Sequence, residues 1–325
     1  MRPFDPLLRN AHLATVAASF WPRHLDEARF PVEARLFHTE PETRILVHVQ
    51  RPSATPPDGV VREVVLVHGL EASSEAPYMR SLAQTLLEAG YWVHRMNIRS
   101  CGGTEFLCRT LYHAGFTQDL FAYLADLDRQ RRTPVHLVGF SLGGNIVLKF
   151  AGQLGRDAFR LLASVTAVST PIDLAACTER LNAPVNWVYQ RRFLRSMKAR
   201  LELRRKVLGE LLTAPPAEIR GLRSVYDLDD RVTAPAFGFA SAEAYYESES
   251  ARNFVGGIRV PCLLVQAQDD PMIPFEVFRA AGVEANRAIK MVTPEHGGHI
   301  GFLARRGPRI WVDAVIRDWI GRQEE

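Results

Sequence analysis

Apolar positions recur along the chain with two different periods, and the change of period marks the elements. "EARLFHT" (33–39) and "RILVHVQ" (44–50) predict a hairpin of early strands, followed by a proline-rich loop, "RPSATPPDG" (51–59). Short β-rich apolar runs then alternate with helical patterns. "EVVLVHG" (63–69), "YWVHRMNI" (91–98), "VHLVGF" (135–140) and "LLASVTAVS" (161–169) read as strands, and 78–89, 117–131 and 145–154 as helices. Such alternation predicts a parallel sheet covered on both faces.

The alternation stops near residue 171. From there to about 257 the chain is mostly helical, and 186–212 carries a long, basic, amphipathic pattern. Strand and helix resume with "PCLLVQAQ" (261–268), a helix from Phe275, "AIKMVT" (288–293) and a closing helix over 309–320. One α/β domain over 1–325 is expected, with an N-terminal arm (1–30) and a mostly parallel central sheet flanked by helices. The segment at about 171–257 is expected as a helical lid, over the carboxyl end of the sheet where open α/β folds bind ligands.

Composition narrows the function without choosing it. The 325 residues are 47% hydrophobic and 23% charged, enough for a large core. A formal charge of +4 does not predict nucleic-acid binding. Cys101, Cys108, Cys177 and Cys262 lie far apart, which disfavours a disulfide scaffold or a zinc ribbon and fits a reducing compartment. No run reaches the ~18 apolar residues of a membrane span. Arg2 and Arg9 precede a fairly apolar stretch (11–21), but Asp5, His12, Thr15 and Ser19 dilute any export-signal pattern, and no cleavage site follows. A cytoplasmic location is the expectation.

Between the strand ending at Phe140 and the following helix stands "VGFSLGGN" (138–145). Gly139-Phe140-Ser141-Leu142-Gly143 has the G-x-S-x-G form of a nucleophile elbow in its proper strand–helix setting. A sharp turn there pushes the serine side chain outward, and Cβ atoms two residues before and after would collide. Ser141 is therefore the candidate nucleophile, and the Leu142 N–H, near a helix N-terminus, a candidate oxyanion donor.

A serine hydroxyl needs a base, and the base an orienting acid, in the chain order serine, acid, histidine. "VQAQDDPMIP" supplies Asp270, four residues before Pro274 as in hydrolases of this class, with Asp269 as the alternative. The alternative reading is that either aspartate only caps the helix beginning near Pro274. "PEHGGHIGF" supplies His299, preferred over His296 because the adjoining Ile300-Gly301-Phe302 can pack it in place. The loop after "VVLVHG" makes the Leu70 N–H the second oxyanion candidate, while His68 reads as structural. Cys101 lacks any cue for activation. Neither a metal nor a cofactor is implied, since no H-E-x-x-H occurs and Gly-Gly separates His296 from His299.

These segments resemble the YheT-like α/β-hydrolases, relatives of the α/β-hydrolase-domain lipases of animals. "RNAHLATVAASF" resembles the family's N-terminal arm; "LVHGLEASSEAPYM", "MNIRSCGGTEFLCRTLYHAG" and "GFSLGGN" resemble its core loops. "YDLDDRVTAPAFGFASAEAYYESES" is similar to the return from lid to core, "QDDPMIP" and "GGHIGF" to the acid and base motifs. The resemblance implies an α/β-hydrolase fold and a serine hydrolase acting on carboxylic esters with Ser141, Asp270 and His299 as triad. "NIRSCGG" departs from the pattern, with Ser100 where glycine is expected. The animal proteins' membrane anchor has no counterpart, which weakens transfer of a membrane-lipid substrate.

Between 179 and 206 nine arginines and lysines face only Glu179 and Glu202. A solvated helix face is expected, with peripheral contact to an anionic surface as the alternative. Trp187, Val188, Tyr189, Phe193, Leu194 and Met197 are expected to pack on the core, line an acyl pocket or meet a second copy. The expected partner is a small or lipid-like acyl ester. Monomer and homodimer both stay open, as does acyl transfer by the same residues or a non-catalytic binding role.

Overall fold

The computed structural model describes residues 3–54, 59–131, 133–208 and 215–324. Part of the expected proline-rich loop (55–58) and the last residues of the expected basic helix (209–212) lie outside them.

An N-terminal helix, α1 (Ala11–Phe20), begins where the Asn10 side chain accepts from the Leu13 N–H. It is followed by β1 (Glu33–Glu40), β2 (Thr43–Gln50), β3 (Glu63–Val67), α2 (Pro77–Glu88), β4 (Trp92–Met96), α3 (Gln118–Arg131), β5 (Val135–Phe140), α4 (Leu142–Leu154) and β6 (Leu162–Val168). Next come α5 (Leu174–Asn182), α6 (Trp187–Leu208) and the short helices α7 (Pro216–Gly221), α8 (Val225–Leu228), α9 (Ala234–Ala236) and α10 (Ala242–Glu249). The chain closes through β7 (Cys262–Val265), α11 (Glu276–Ala280), β8 (Ile289–Val292) and α12 (Trp311–Arg322).

The eight strands form one sheet in the order β1-β2-β4-β3-β5-β6-β7-β8. The β1–β2 and β2–β4 pairs are antiparallel and the remaining pairs parallel. All five β3 residues are buried, because both faces are covered. Val65 and Val67 join the core shared with α3, α4 and the 171–257 segment, whereas Val64 and Leu66 join the core under α2 and α12. Burying each such aliphatic side chain contributes about 1.5–3 kcal/mol, so the strand tops that carry the site loops rest on a well-packed sheet.

The expected elements appear with shifted ends. The helix expected from residue 145 begins at Leu142, because the two glycines after it pack into the first turn instead of breaking it. The arm contains α1 and a backbone bridge, Leu7 N–H to Leu303 carbonyl at 2.8 Å, that ties it to the C-terminal loop. Among the described residues, no helix is long and apolar enough to cross a membrane.

Candidate active site

β5 delivers Ser141 and α4 removes the chain from it. Ser141 has φ +51° and ψ −121°, a left-handed backbone for a residue with a Cβ, costing on the order of 1–3 kcal/mol. Its N–H donates to the Val168 carbonyl (2.8 Å), and its carbonyl accepts from the Gly144 N–H (2.8 Å), so neighbouring backbone fixes the turn. A Cβ on Gly139 would lie 2.3 Å from the Gly143 carbonyl oxygen, and one on Gly143 would lie 2.4 Å from that of Val67. Leu142 opens α4, so its N–H is among those with no intrahelical acceptor.

His299 comes from the loop after β8 and Asp270 from the loop after β7. The imidazole Nε2 lies 3.0 Å from the Ser141 Oγ, and Nδ1 lies 2.9 Å from Asp270 Oδ2. Asp270 Oδ1 accepts from the backbone N–H groups of Met272 (2.9 Å) and Ile273 (3.2 Å), and the Gln266 amide donates to Oδ2 at 3.2 Å. The carboxylate is thus fully buried yet supplied with donors. With Asp270 accepting, the proton belongs on Nδ1 and leaves Nε2 basic toward the serine.

The alternative candidates pair with each other. Asp269 Oδ2 lies 3.2 Å from His296 Nδ1, and Oδ1 accepts from the Gly298 N–H at 2.9 Å. Together they staple the loop that carries His299. Asp269 therefore bridges to a second loop instead of capping the helix that begins at Glu276, and His296 is held by a partner.

Sequence reading assigned no role to α1, which holds the same loop from the other side. The His299 N–H donates to Thr15 Oγ1 at 2.9 Å. A Cβ on Gly298 would lie 2.4 Å from the Ala11 carbonyl oxygen, so that glycine permits the contact. The Ile300 N–H donates to Ser169 Oγ at 3.1 Å. The quoted "RNAHLATVAASF" was the only available signal, and it does not identify its partner.

The β3 loop places Leu70 beside the serine. The Gly69 N–H donates to the Tyr78 hydroxyl (2.9 Å), and the Ala72 N–H to the Gly69 carbonyl (3.2 Å). His68 is fully buried, with Nδ1 donating to the Gly69 carbonyl (2.8 Å) and Nε2 accepting from the Ile98 N–H (3.1 Å). Burial lowers its pKa to about 4, which keeps it neutral, as a structural role requires. Burial raises the Cys101 thiol to about 12, leaving it inert at neutral pH. Ser100 has φ +64°, which explains why glycine suits that position.

Ser141, Leu70 and His299 line the junction of two cavities. The inner one, about 120 Å³, is walled by Leu174, Cys177, Leu181, Met197 and Ile273. The outer cleft, about 760 Å³, runs between Val16 and Phe20 of α1 and Tyr189, Phe193 and Leu203 of α6. The basic residues of α6 do not form one solvated face. Arg191, Arg192 and Arg195 are exposed, but Arg204 is buried and donates to the carbonyls of Glu105 (2.6 Å), Cys108 (3.0 Å) and Arg109 (2.9 Å). These loop carbonyls replace the water that a cation would otherwise need. Trp187 and Val188, expected to pack or to line a pocket or a dimer contact, are half-exposed on this chain, whereas Met197 is buried. Among the described residues, no group of three His, Cys, Asp or Glu is placed to hold a metal ion.

The alpha/beta hydrolase fold family matches residues 63–305. YheT of Escherichia coli (strain K12) is 31% identical over 79% of this chain and 76% of its own length. The medium-chain fatty acid ethyl ester synthase/esterase 2 of Saccharomyces cerevisiae is 28% identical over 81% of this chain and 62% of its own. The Pyrococcus furiosus esterase Pf2001 superposes with a TM-score of 0.60 at 16% identity, covering 100% of this chain and 99% of that one. The chain belongs to the α/β-hydrolase fold family, as a YheT-like member.

Proposed function

We propose that the protein hydrolyses carboxylic esters through an acyl-enzyme, with Ser141 as nucleophile, His299 as general base and Asp270 as its orienter. The observation that carries this reading is the continuous chain from Asp270 Oδ2 through His299 to Ser141 Oγ, at 2.9 and 3.0 Å. The esterase named among the relatives supports the same chemistry.

His299 Nε2 takes the Ser141 proton as Oγ attacks the ester carbonyl. The imidazolium is stabilised by Asp270 and then protonates the leaving alcohol. The N–H groups of Leu142 and Leu70 receive the oxyanion, each worth about 2.7–4 kcal/mol in the transition state. Water entering where the alcohol left gives its proton to His299 and releases the acid. The inner pocket takes the acyl chain and the outer cleft the alcohol, with 171–257 serving as the lid of a single domain. Lid, pocket and triad together support a carboxylesterase of the lipase-like kind.

Ser141→Ala is expected to abolish turnover of p-nitrophenyl esters and labelling by a fluorophosphonate, with little change in melting temperature. Undiminished turnover by that variant would overturn the assignment.

A further inference from the structure

Glu71 directly follows Leu70, the proposed second oxyanion donor. It has φ +54°, and its side chain is only 6% exposed. A carboxylate one residue from developing negative charge opposes that charge, unless its own is cancelled in place. The cancelling groups come largely from the inserted segment. Arg200 of α6 forms an ion pair with Glu71 Oε1. Ser196, one turn earlier on α6, donates its hydroxyl to Oε2 at 2.8 Å. Tyr112 completes the set: its hydroxyl donates to Oε1 at 3.2 Å and accepts from the Glu71 N–H at 3.4 Å.

Arg200 is given over to this contact. Its guanidinium lies over the Tyr112 ring, 4.7 Å from the centroid. Nε and Nη1 are buried without hydrogen-bond partners among the described residues. Arg200 also lines both cavities beside Leu70. A helix of the inserted segment is therefore attached, through one carboxylate, to the backbone that must aim the Leu70 N–H.

We propose that Glu71 is a positioning residue, latched by Arg200 and Ser196, through which the seating of α6 holds the second oxyanion donor in line and keeps the hole free of uncancelled negative charge. The inference rests on the triad and oxyanion roles given under Proposed function. It makes α6 part of the turnover machinery as well as a pocket wall.

Steady-state kinetics on p-nitrophenyl acetate and a longer-chain p-nitrophenyl ester test it. Arg200→Met is expected to lower kcat about 10–100-fold on both esters, with KM within about twofold, because it both frees the loop and leaves the carboxylate uncancelled. The double variant Glu71→Gln/Arg200→Met removes that carboxylate and is expected to regain about fivefold of the lost kcat. Ser196→Ala, mild enough to fold, is expected to lose about threefold in kcat. A purely structural ion pair would instead lower the melting temperature at unchanged kcat, or raise KM for the longer ester alone. Either result overturns the proposal, as does a double variant no faster than Arg200→Met. An inactive wild-type protein would count against the hydrolase reading itself. An active wild type with unaffected latch variants would count only against the latch.

Discussion

Ser141 holds its hydroxyl on a backbone that side chains with a Cβ rarely adopt, at φ +51°. Hydrogen bonds from β6 and α4 keep it there, and the strain is carried by the proposed nucleophile. Ser141→Gly and Ser141→Ala both remove the nucleophile, but only glycine relaxes the backbone. Calorimetry is expected to place the glycine variant roughly 2–4 °C above the alanine variant in Tm. Equal values would show that the turn stores no strain. The same geometry made the candidate nucleophile legible beforehand, since a close approach of Gly139 to Gly143 demands glycine at fixed spacing. The spacing to Pro274 favoured Asp270 over Asp269, but with no comparable stereochemical reason behind it. Both follow β7, and their division of labour depends on which histidine of a distant loop each one meets.

At the scale of elements, the ends of β3 and β4 are joined by one neutral imidazole. His68 Nε2 accepts from the Ile98 N–H, so protonating it both buries a charge and removes an acceptor. Its pKa falls from 6.5 unfolded to about 4 folded. Between those values the unfolded chain binds the proton and the folded one does not, so this contribution is full above pH 6.5 and is lost as pH falls toward 4. The loss is on the order of 3 kcal/mol. Urea unfolding of His68→Gln, whose side-chain oxygen can still accept from Ile98, is expected to show a flatter dependence on pH than wild type in that window. An unchanged slope would assign the titration elsewhere. The strands and helices themselves were legible from periodicity to within a few residues. The part played by α1 was not, because its Thr15 acts on a backbone N–H 284 residues away.

For the whole molecule, the shape of the cavities decides what an elbow can use. The inner pocket is enclosed by α5, α6 and the strand loops, and Cys177 forms part of its wall. Cys177→Trp fills part of that space. It is expected to lower kcat/KM for long-chain p-nitrophenyl esters by tenfold or more, while sparing the acetate. A uniform loss across chain lengths would place the acyl group in the outer cleft instead. The basic residues of α6 show how far composition can mislead at this scale. Their spacing reads as a solvated stripe, yet Arg204 is consumed by loop carbonyls and Arg200 by Glu71. A helix's polar residues face water only where no other segment covers them, and the covering segment here lies about a hundred residues earlier.

The sequence by itself determined the order of strands and helices, the class of fold and the serine at the elbow. Each is set by local stereochemistry or by hydrophobic period, and neither needs knowledge of distant neighbours. Only the tertiary structure decided which aspartate meets which histidine, that α1 supports the His299 loop, and that an arginine of α6 pairs with Glu71. Those pairings depend on approach to hydrogen-bond distance between segments far apart in the chain, a quantity that no spacing along the backbone encodes.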